Sequence, residues 1–312
     1  MYDGSLGILY TTLAEESDVK KVILACRSEG KAQDAIARLV AKTKKTPDFF
    51  EVLVLDTSDV QSCKAAAQKL TSEKVNGVML NAGGVIAGKD STKGVPLMHL
   101  VNTIGHVVFV EELIASGRTE NVVVVYSGSE AARGVYSAMG TVFKEPYKAD
   151  VYSHLTGENP LESDINGAYA YTKAIAALYM SSLARKHPEC HIVTDSPGMT
   201  SGTNIGNLNP VVKFVAQSMV MPQLKLVGYS HPVDKGALGY TNALYNRGSA
   251  NVASGTFLAS KKNKLSGPVV ESTFAPQFGD QKLQDDALDA VHDLIQTLYS
   301  LADMIQGNNI SP

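Results

Sequence analysis

Tyr169 and Lys173 stand four residues apart in Tyr169-Ala170-Tyr171-Thr172-Lys173, inside a stretch that reads as a helix. Residues spaced i and i+4 share one helix face, so the phenol and the ammonium can work as a unit. An ammonium beside a phenol favours the phenolate, and the pairing is expected to draw the Tyr169 pKa from about 10 towards neutrality. A proton donor to a carbonyl oxygen needs that property, which makes Tyr169 a candidate general acid/base. The same spacing also arises on an ordinary half-buried helix face with a solvated end, so the pair takes its meaning from its surroundings.

Short β-branched runs alternate along the chain with segments of helical period, the pattern of βαβ units and a parallel sheet. Strands are expected over Lys21 to Cys26, Phe50 to Leu55, Val75 to Leu80, Asn121 to Tyr126, His191 to Asp195 and Gly255 to Ser260. Helices are expected over Leu6 to Glu16, Lys31 to Lys42, Val60 to Leu70, Met98 to Ser116 and Gly167 to Lys186. This alternation predicts an α/β fold with a doubly wound parallel sheet, whose ligands bind beyond the carboxyl ends of the strands. The unusual residues fall at those ends. Asn81-Ala82-Gly83-Gly84 follows Val78-Met79-Leu80, Tyr126-Ser127-Gly128-Ser129-Glu130 follows four valines, and Ser196-Pro197-Gly198-Met199-Thr200 follows Asp195. Each is also readable as plain loop punctuation.

The composition narrows the partners. A net charge of -3 over 312 residues, without a block of one sign, provides no field for nucleic acid or an acidic membrane and leaves small-molecule chemistry as the default. Cys26, Cys63 and Cys190 are far apart and lack metal spacing, so they read as reduced and structural. His106, His187 and His191 likewise show no metal pattern. No run approaches the roughly 20 apolar residues of a membrane-spanning helix, and no basic-then-apolar signal pattern opens the chain. The cytoplasm is the default compartment, with organellar targeting left open.

From about Leu6 to Leu265 the chain resembles the short-chain dehydrogenase/reductase family. The motifs that carry the resemblance come in the family's order: Asn81-Ala82-Gly83, Asn102 within Val101-Asn102-Thr103-Ile104-Gly105-His106, a serine after the valine strand, Tyr169 to Lys173, and Pro197-Gly198. Gly128 to Gly134, the long segment before Tyr169, and Ser266-Gly267-Pro268-Val269-Val270 look most like the subgroup of protochlorophyllide reductases and retinol dehydrogenases. The resemblance implies one Rossmann-type domain over residues 1–312 and a catalytic tetrad of Asn102, Ser129, Tyr169 and Lys173. Tyr169 would exchange a proton with the substrate oxygen, Lys173 would hold the nicotinamide ribose, and Asn102 would keep a relay water behind Lys173. Ser129 is chosen to hydrogen-bond the carbonyl oxygen, with Ser127 as the alternative.

The same resemblance implies a nicotinamide cofactor held by Gly7, Arg27, Asp56, Thr57, Asn81, Ala82, Gly83, Tyr169, Lys173, Pro197, Gly198 and Thr200. Arg27 directly follows the strand expected over Lys21 to Cys26, the second strand of the family's fold, where a guanidinium suits a 2′-phosphate, so NADP(H) is favoured over NAD(H). The family's first strand and glycine-rich turn have no counterpart ahead of Gly7, so that strand is expected to be missing. Either the sequence begins downstream of the true start, the favoured reading, or the chain is a degenerate, non-catalytic member. An insertion is expected over 131–166 and a substrate lid over 208–229, whose apolar, Met-bearing sequence points to a lipophilic carbonyl or alcohol substrate. Light-dependent protochlorophyllide reduction is a second enzymatic reading. Gln281 to Ile305 is an amphipathic helix expected to pack on the sheet or, in a homodimer, on a second subunit.

Overall fold

The structure is a computed structural model, and it describes residues 4–70, 74–86, 94–117, 121–133, 151–156, 165–198, 200–201, 231–261, 264, 269–271 and 275–308. The strands are β1 Val22–Cys26, β2 Phe50–Val54, β3 Gly77–Leu80, β4 Val123–Ser127, β5 His191–Asp195, β6 Thr200–Ser201, β7 His231–Pro232, β8 Phe257–Ser260 and β9 Val269–Glu271. The helices are α1 Gly4–Glu15, α2 Glu29–Thr43, α3 Val60–Lys69, α4 Leu97–Ala115, α5 Val151–Thr156, α6 Ile165–Lys186, α7 Val233–Leu244 and α8 Gln281–Asn308.

Strands β3, β4, β5 and β8 pair in parallel in that order, and β9 closes the edge antiparallel to β8. β1 and β2 form a separate parallel pair, and β6 and β7 another. Among the described residues no strand joins β1 to β3. The first strand expected ahead of α1 would fall outside the described residues, which begin at Gly4.

The four-valine run is explained by burial on both faces of the sheet. Val122, Val124 and Tyr126 pack into the core built with α3, α4, α6 and α8, whereas Val125 joins Val193 and Leu258 beneath α1 and α7. A third, smaller core sits between β1–β2 and α1–α2, around Leu13, Leu24, Ile36, Leu39 and Phe50. Helix starts follow their caps: the Ser28 hydroxyl accepts from Lys31 N at the start of α2, and Asp59 accepts from Gln61 N at the start of α3.

Helix α4 is not uniform. Leu100–Ile104 is a π-helical turn that closes through the Gly105 N–H donating to the Leu100 carbonyl. Such turns insert one residue and re-aim the side chains around them. At Gly105 the helix meets the loop after β2 so closely that a Cβ would lie 2.1 Å from the Thr57 carbonyl oxygen. Among the described residues α4 is the one helix long and apolar enough to cross a membrane, and 78% of its apolar window is buried inside the protein, as in a core helix.

Helix α8 turns Leu288, Val291, Leu294, Ile295 and Leu298 inward and packs on α6 and α5. Its stripe is therefore used within the chain, mainly against these two helices. Arg185 pairs with Asp285 at one end of this contact, while Tyr179 and His292 both meet the Glu111 carboxylate further along. Of the expected insertion, the described parts are the residues to Arg133, α5 and the start of α6; the expected lid over 208–229 lies outside the described residues.

Candidate active site

The site is assembled from the carboxyl ends of β3, β4 and β5 and from one face of α6. Tyr169 and Lys173 lie one turn apart on α6, and Lys173 is buried. Its Nζ donates to the Ser127 carbonyl at 2.7 Å. Ser129, two residues past β4, hydrogen-bonds the Tyr169 phenol. Its hydroxyl also accepts from Ala131 N at 3.2 Å, which fixes the turn leading to Glu130.

Ser127, the alternative serine, points to the other face of the sheet. Its hydroxyl meets the Tyr240 hydroxyl of α7 at 2.6 Å. Alternation along β4 explains the split, because Tyr126 and Ser127 must face opposite layers. Of the two candidate serines, the structure brings Ser129 to Tyr169.

Asn102 sits in the π turn and is fully buried. Its side chain is committed to the loop after β3, accepting from Gly84 N at 2.8 Å and donating to the Gly84 carbonyl at 2.9 Å. Its own carbonyl accepts the Tyr126 hydroxyl at 2.7 Å. Gly83 passes so close that a Cβ would lie 2.2 Å from Asn102 Oδ1 and 3.5 Å from Lys173 Nζ, and its φ of 153° also favours glycine. The Asn-Ala-Gly segment is thus locked onto the Asn102 turn, with Ala82 also held through its carbonyl by His106 Nε2 at 2.6 Å.

The electrostatics correct one expectation from the sequence. Burial lowers the Lys173 pKa to about 7. Burial also raises the Tyr169 phenol, against the opposing effect of its Ser129 hydrogen bond. Lys173 therefore does not draw the phenol towards neutrality here. Both groups occupy the same water-poor space, desolvation disfavours both charged forms, and the ammonium is aimed at the Ser127 carbonyl.

The remaining predicted residues separate into two groups. Arg27 is exposed at the end of β1, and Asp56 and Thr57 follow β2. Asp56 Oδ1 accepts from Ser58 N at 2.9 Å and from the Ser58 hydroxyl at 2.7 Å, while Thr57 is buried against α4. Asn81, Ala82 and Gly83 follow β3, and Pro197 and Gly198 follow β5, with Gly198 at φ 69°. The Pro197 carbonyl is met by His231 Nε2 at 2.6 Å, and Thr200 lies in β6 opposite His231 of β7.

Gly7 departs from expectation. It lies inside α1, not in a turn ahead of it, and a Cβ there would come 2.3 Å from Val233 Cγ1 of α7. Its smallness serves the contact between those two helices.

Several residues of the site carry no local sequence signal. Glu130 accepts from Ser260 N at 2.8 Å and from the Ser196 hydroxyl at 3.1 Å and pairs with Arg133, tying the turn after β4 to β5 and β8. Asp195 is fully buried, and desolvation, then the Glu130 charge, push its carboxyl well above the usual range. Tyr126 and Tyr240 bring two further phenols beside Tyr169. Of these, only Tyr126 had a cue: an aromatic residue with a polar tip ending an apolar strand.

Fold and site together define a Rossmann-type α/β protein with a Tyr-Lys-Ser cluster at the carboxyl ends of its parallel strands. No protein-family model matches the chain. A short-chain dehydrogenase/reductase of Armillaria gallica is 28% identical over 215 residues, 65% of this chain and 64% of that protein. The 3-keto-steroid reductase of Schizosaccharomyces pombe is 33% identical over 114 residues, 35% of this chain and 33% of that protein. The chain therefore spans less than two thirds of either relative. Among solved structures, salutaridine reductase from Papaver somniferum has a TM-score of 0.56 at 16% identity, covering 82% of this chain and 95% of that one. The NADPH-bound carbonyl reductase from chicken fatty liver has a TM-score of 0.54 at 18% identity, covering 85% and 95%. The chain is thus similar in sequence to proteins named as short-chain dehydrogenases/reductases or a keto-steroid reductase and shares the Rossmann-type fold of its structural neighbours; these relatives do not specify a subgroup.

Proposed function

We propose that the chain is an oxidoreductase interconverting a carbonyl and an alcohol with a nicotinamide cofactor, NADP(H) in preference to NAD(H). The observation that carries this reading is the meeting of Tyr169, Ser129 and the buried Lys173 where β4 ends. The residues fit a dinucleotide. Ala82 and Gly83 leave an exposed, side-chain-poor rim after β3, and the exposed Arg27 has no side-chain partner among the described residues. Arg27 would hold the 2′-phosphate, Asn81 to Gly83 and Pro197 to Gly198 would line the path of the cofactor, and Lys173 would hold the nicotinamide ribose. When bound, the reduced nicotinamide supplies the hydride.

In the reductive direction the Tyr169 hydroxyl gives its proton to the carbonyl oxygen as the carbon receives hydride, leaving an alcohol. Ser129 donates a hydrogen bond to that oxygen, where negative charge develops. Lys173, with a pKa of about 7, can return a proton to Tyr169 near neutral pH. An apolar ketone is the proposed substrate class, in line with the 3-keto-steroid name of one relative.

Fluorescence titration with NADPH and NADH tests the cofactor assignment. NADPH is expected to bind at least tenfold more tightly, and Arg27→Asp to shift that ratio towards NADH by about tenfold or more. A preference unchanged by Arg27→Asp contradicts it.

A further inference from the structure

Tyr126 is fully buried near the end of β4, and in so apolar a strand its hydroxyl needs a partner. It donates to the Asn102 carbonyl at 2.7 Å, which anchors the ring against the π turn of α4. The face of that ring lies under Lys173, with Nζ 4.8 Å from the centroid, inside the roughly 6 Å reach of cation–π attraction. Its edge meets the His106 ring at 5.7 Å and 78°. One side chain thus links β4, α4 and α6 directly behind Tyr169.

The groups facing Lys173 are few. Tyr169 lies on its own helix, Tyr126 approaches from β4, and His106 from α4, where burial holds the imidazole down to about 4 and therefore neutral at pH 7. Among the described residues no carboxylate offsets the ammonium; desolvation is the resolved cause of its lowered pKa. The Ser127 carbonyl and the negative face of the Tyr126 ring remain to stabilise the charge.

We infer that Tyr126 is a positioning residue for the Tyr169–Lys173 pair, acting through its ring, whose face supports the protonated form of Lys173. This rests on the roles proposed above for Tyr169 and Lys173. The ring contact keeps a useful fraction of Lys173 charged at neutral pH in a site that otherwise disfavours charge.

The test is an NMR titration of the full chain labelled with ζ-¹⁵N lysine, the Lys173 signal being assigned by its loss in Lys173→Met. Tyr126→Leu removes the ring, and pentafluorophenylalanine in place of Tyr126 keeps the volume while reversing the charge distribution of its face. Both are expected to lower the Lys173 midpoint by about half a pH unit. Tyr126→Phe, which keeps the ring face, is expected to leave it in place. No shift with the fluorinated residue, or an equal shift in Tyr126→Phe, overturns the inference, and the fluorinated residue decides if Tyr126→Leu does not fold. Turnover of 9,10-phenanthrenequinone with NADPH is followed in parallel. A missing titration shift counts against Tyr126, whereas missing turnover with the shift intact counts against the proposed function alone.

Discussion

The two ends of the candidate site are built differently. At the β4–α6 end, Ser129 hydrogen-bonds Tyr169, Tyr126 donates to the Asn102 carbonyl and carries Lys173 over its ring, and Lys173, Asn102 and Tyr126 are buried. At the β1–β2 end, Arg27 is exposed at a strand terminus and Asp56 is folded back onto Ser58. Burial makes the first end electrostatically costly and chemically capable, since desolvation moves Lys173 into the neutral range. Exposure leaves the second end open, and there the proposed function puts cofactor recognition by a single side chain, Arg27. On the proposed reading, chemistry belongs to the rigid end and selectivity to the open one.

The largest expected effect sharpens that division at the rigid end. Ser129→Ala should lower kcat by about 10²–10³-fold, as removal of one donor at a developing oxyanion does. Ser127→Ala, which loses the Tyr240 contact on the opposite face, should cost much less. Steady-state rates with NADPH compare them, and the reverse ranking would move the catalytic role to Ser127.

A second substitution breaks the join between the two ends. Gly105→Ala drives a Cβ into the Thr57 backbone where α4 meets the loop after β2. The expected destabilisation is about 3 kcal/mol, the upper part of the usual overpacking range. A thermal midpoint equal to that of the unaltered protein would show that this approach relaxes freely.

The smallest effect concerns pH. An unfolded lysine titrates near 10.5 and folded Lys173 at about 7. Between those values the unfolded chain holds a proton that the folded chain has released, so stability rises with pH across this window. Below it both states are protonated and the slope vanishes. Denaturant unfolding at pH 7 and pH 9 should show the native chain gaining about 2 kcal/mol relative to Lys173→Met. An equal pH response of the two proteins would contradict the burial of that charge.

The layout of the sheet was legible because buried parallel strands are short β-branched runs: the expected His191 to Asp195 strand is β5, and the valine run is the body of β4. The Tyr169–Lys173 pair was legible because i,i+4 spacing is a local rule. Local rules do not reach the π turn, since Leu100-Val-Asn-Thr-Ile104 reads as ordinary apolar helix. They do not reach the Ser127–Tyr240 contact either, because its partners lie 113 residues apart. The pKa direction of Tyr169 was missed for the same reason: the spacing of two residues states their proximity, but the desolvation that governs both charges comes from the layers packed around them. Gly7 read as part of a phosphate turn because glycine marks turns and close helix packing alike, and only Val233 separates the two.

The most direct test is the rate of NADPH oxidation with 9,10-phenanthrenequinone, compared between the native chain and Tyr169→Phe, with NADPH affinity measured on both. The proposed chemistry predicts turnover by the native chain and a loss of at least about 10²-fold in Tyr169→Phe, with cofactor affinity retained. Equal turnover by the two proteins would contradict Tyr169 as the proton donor.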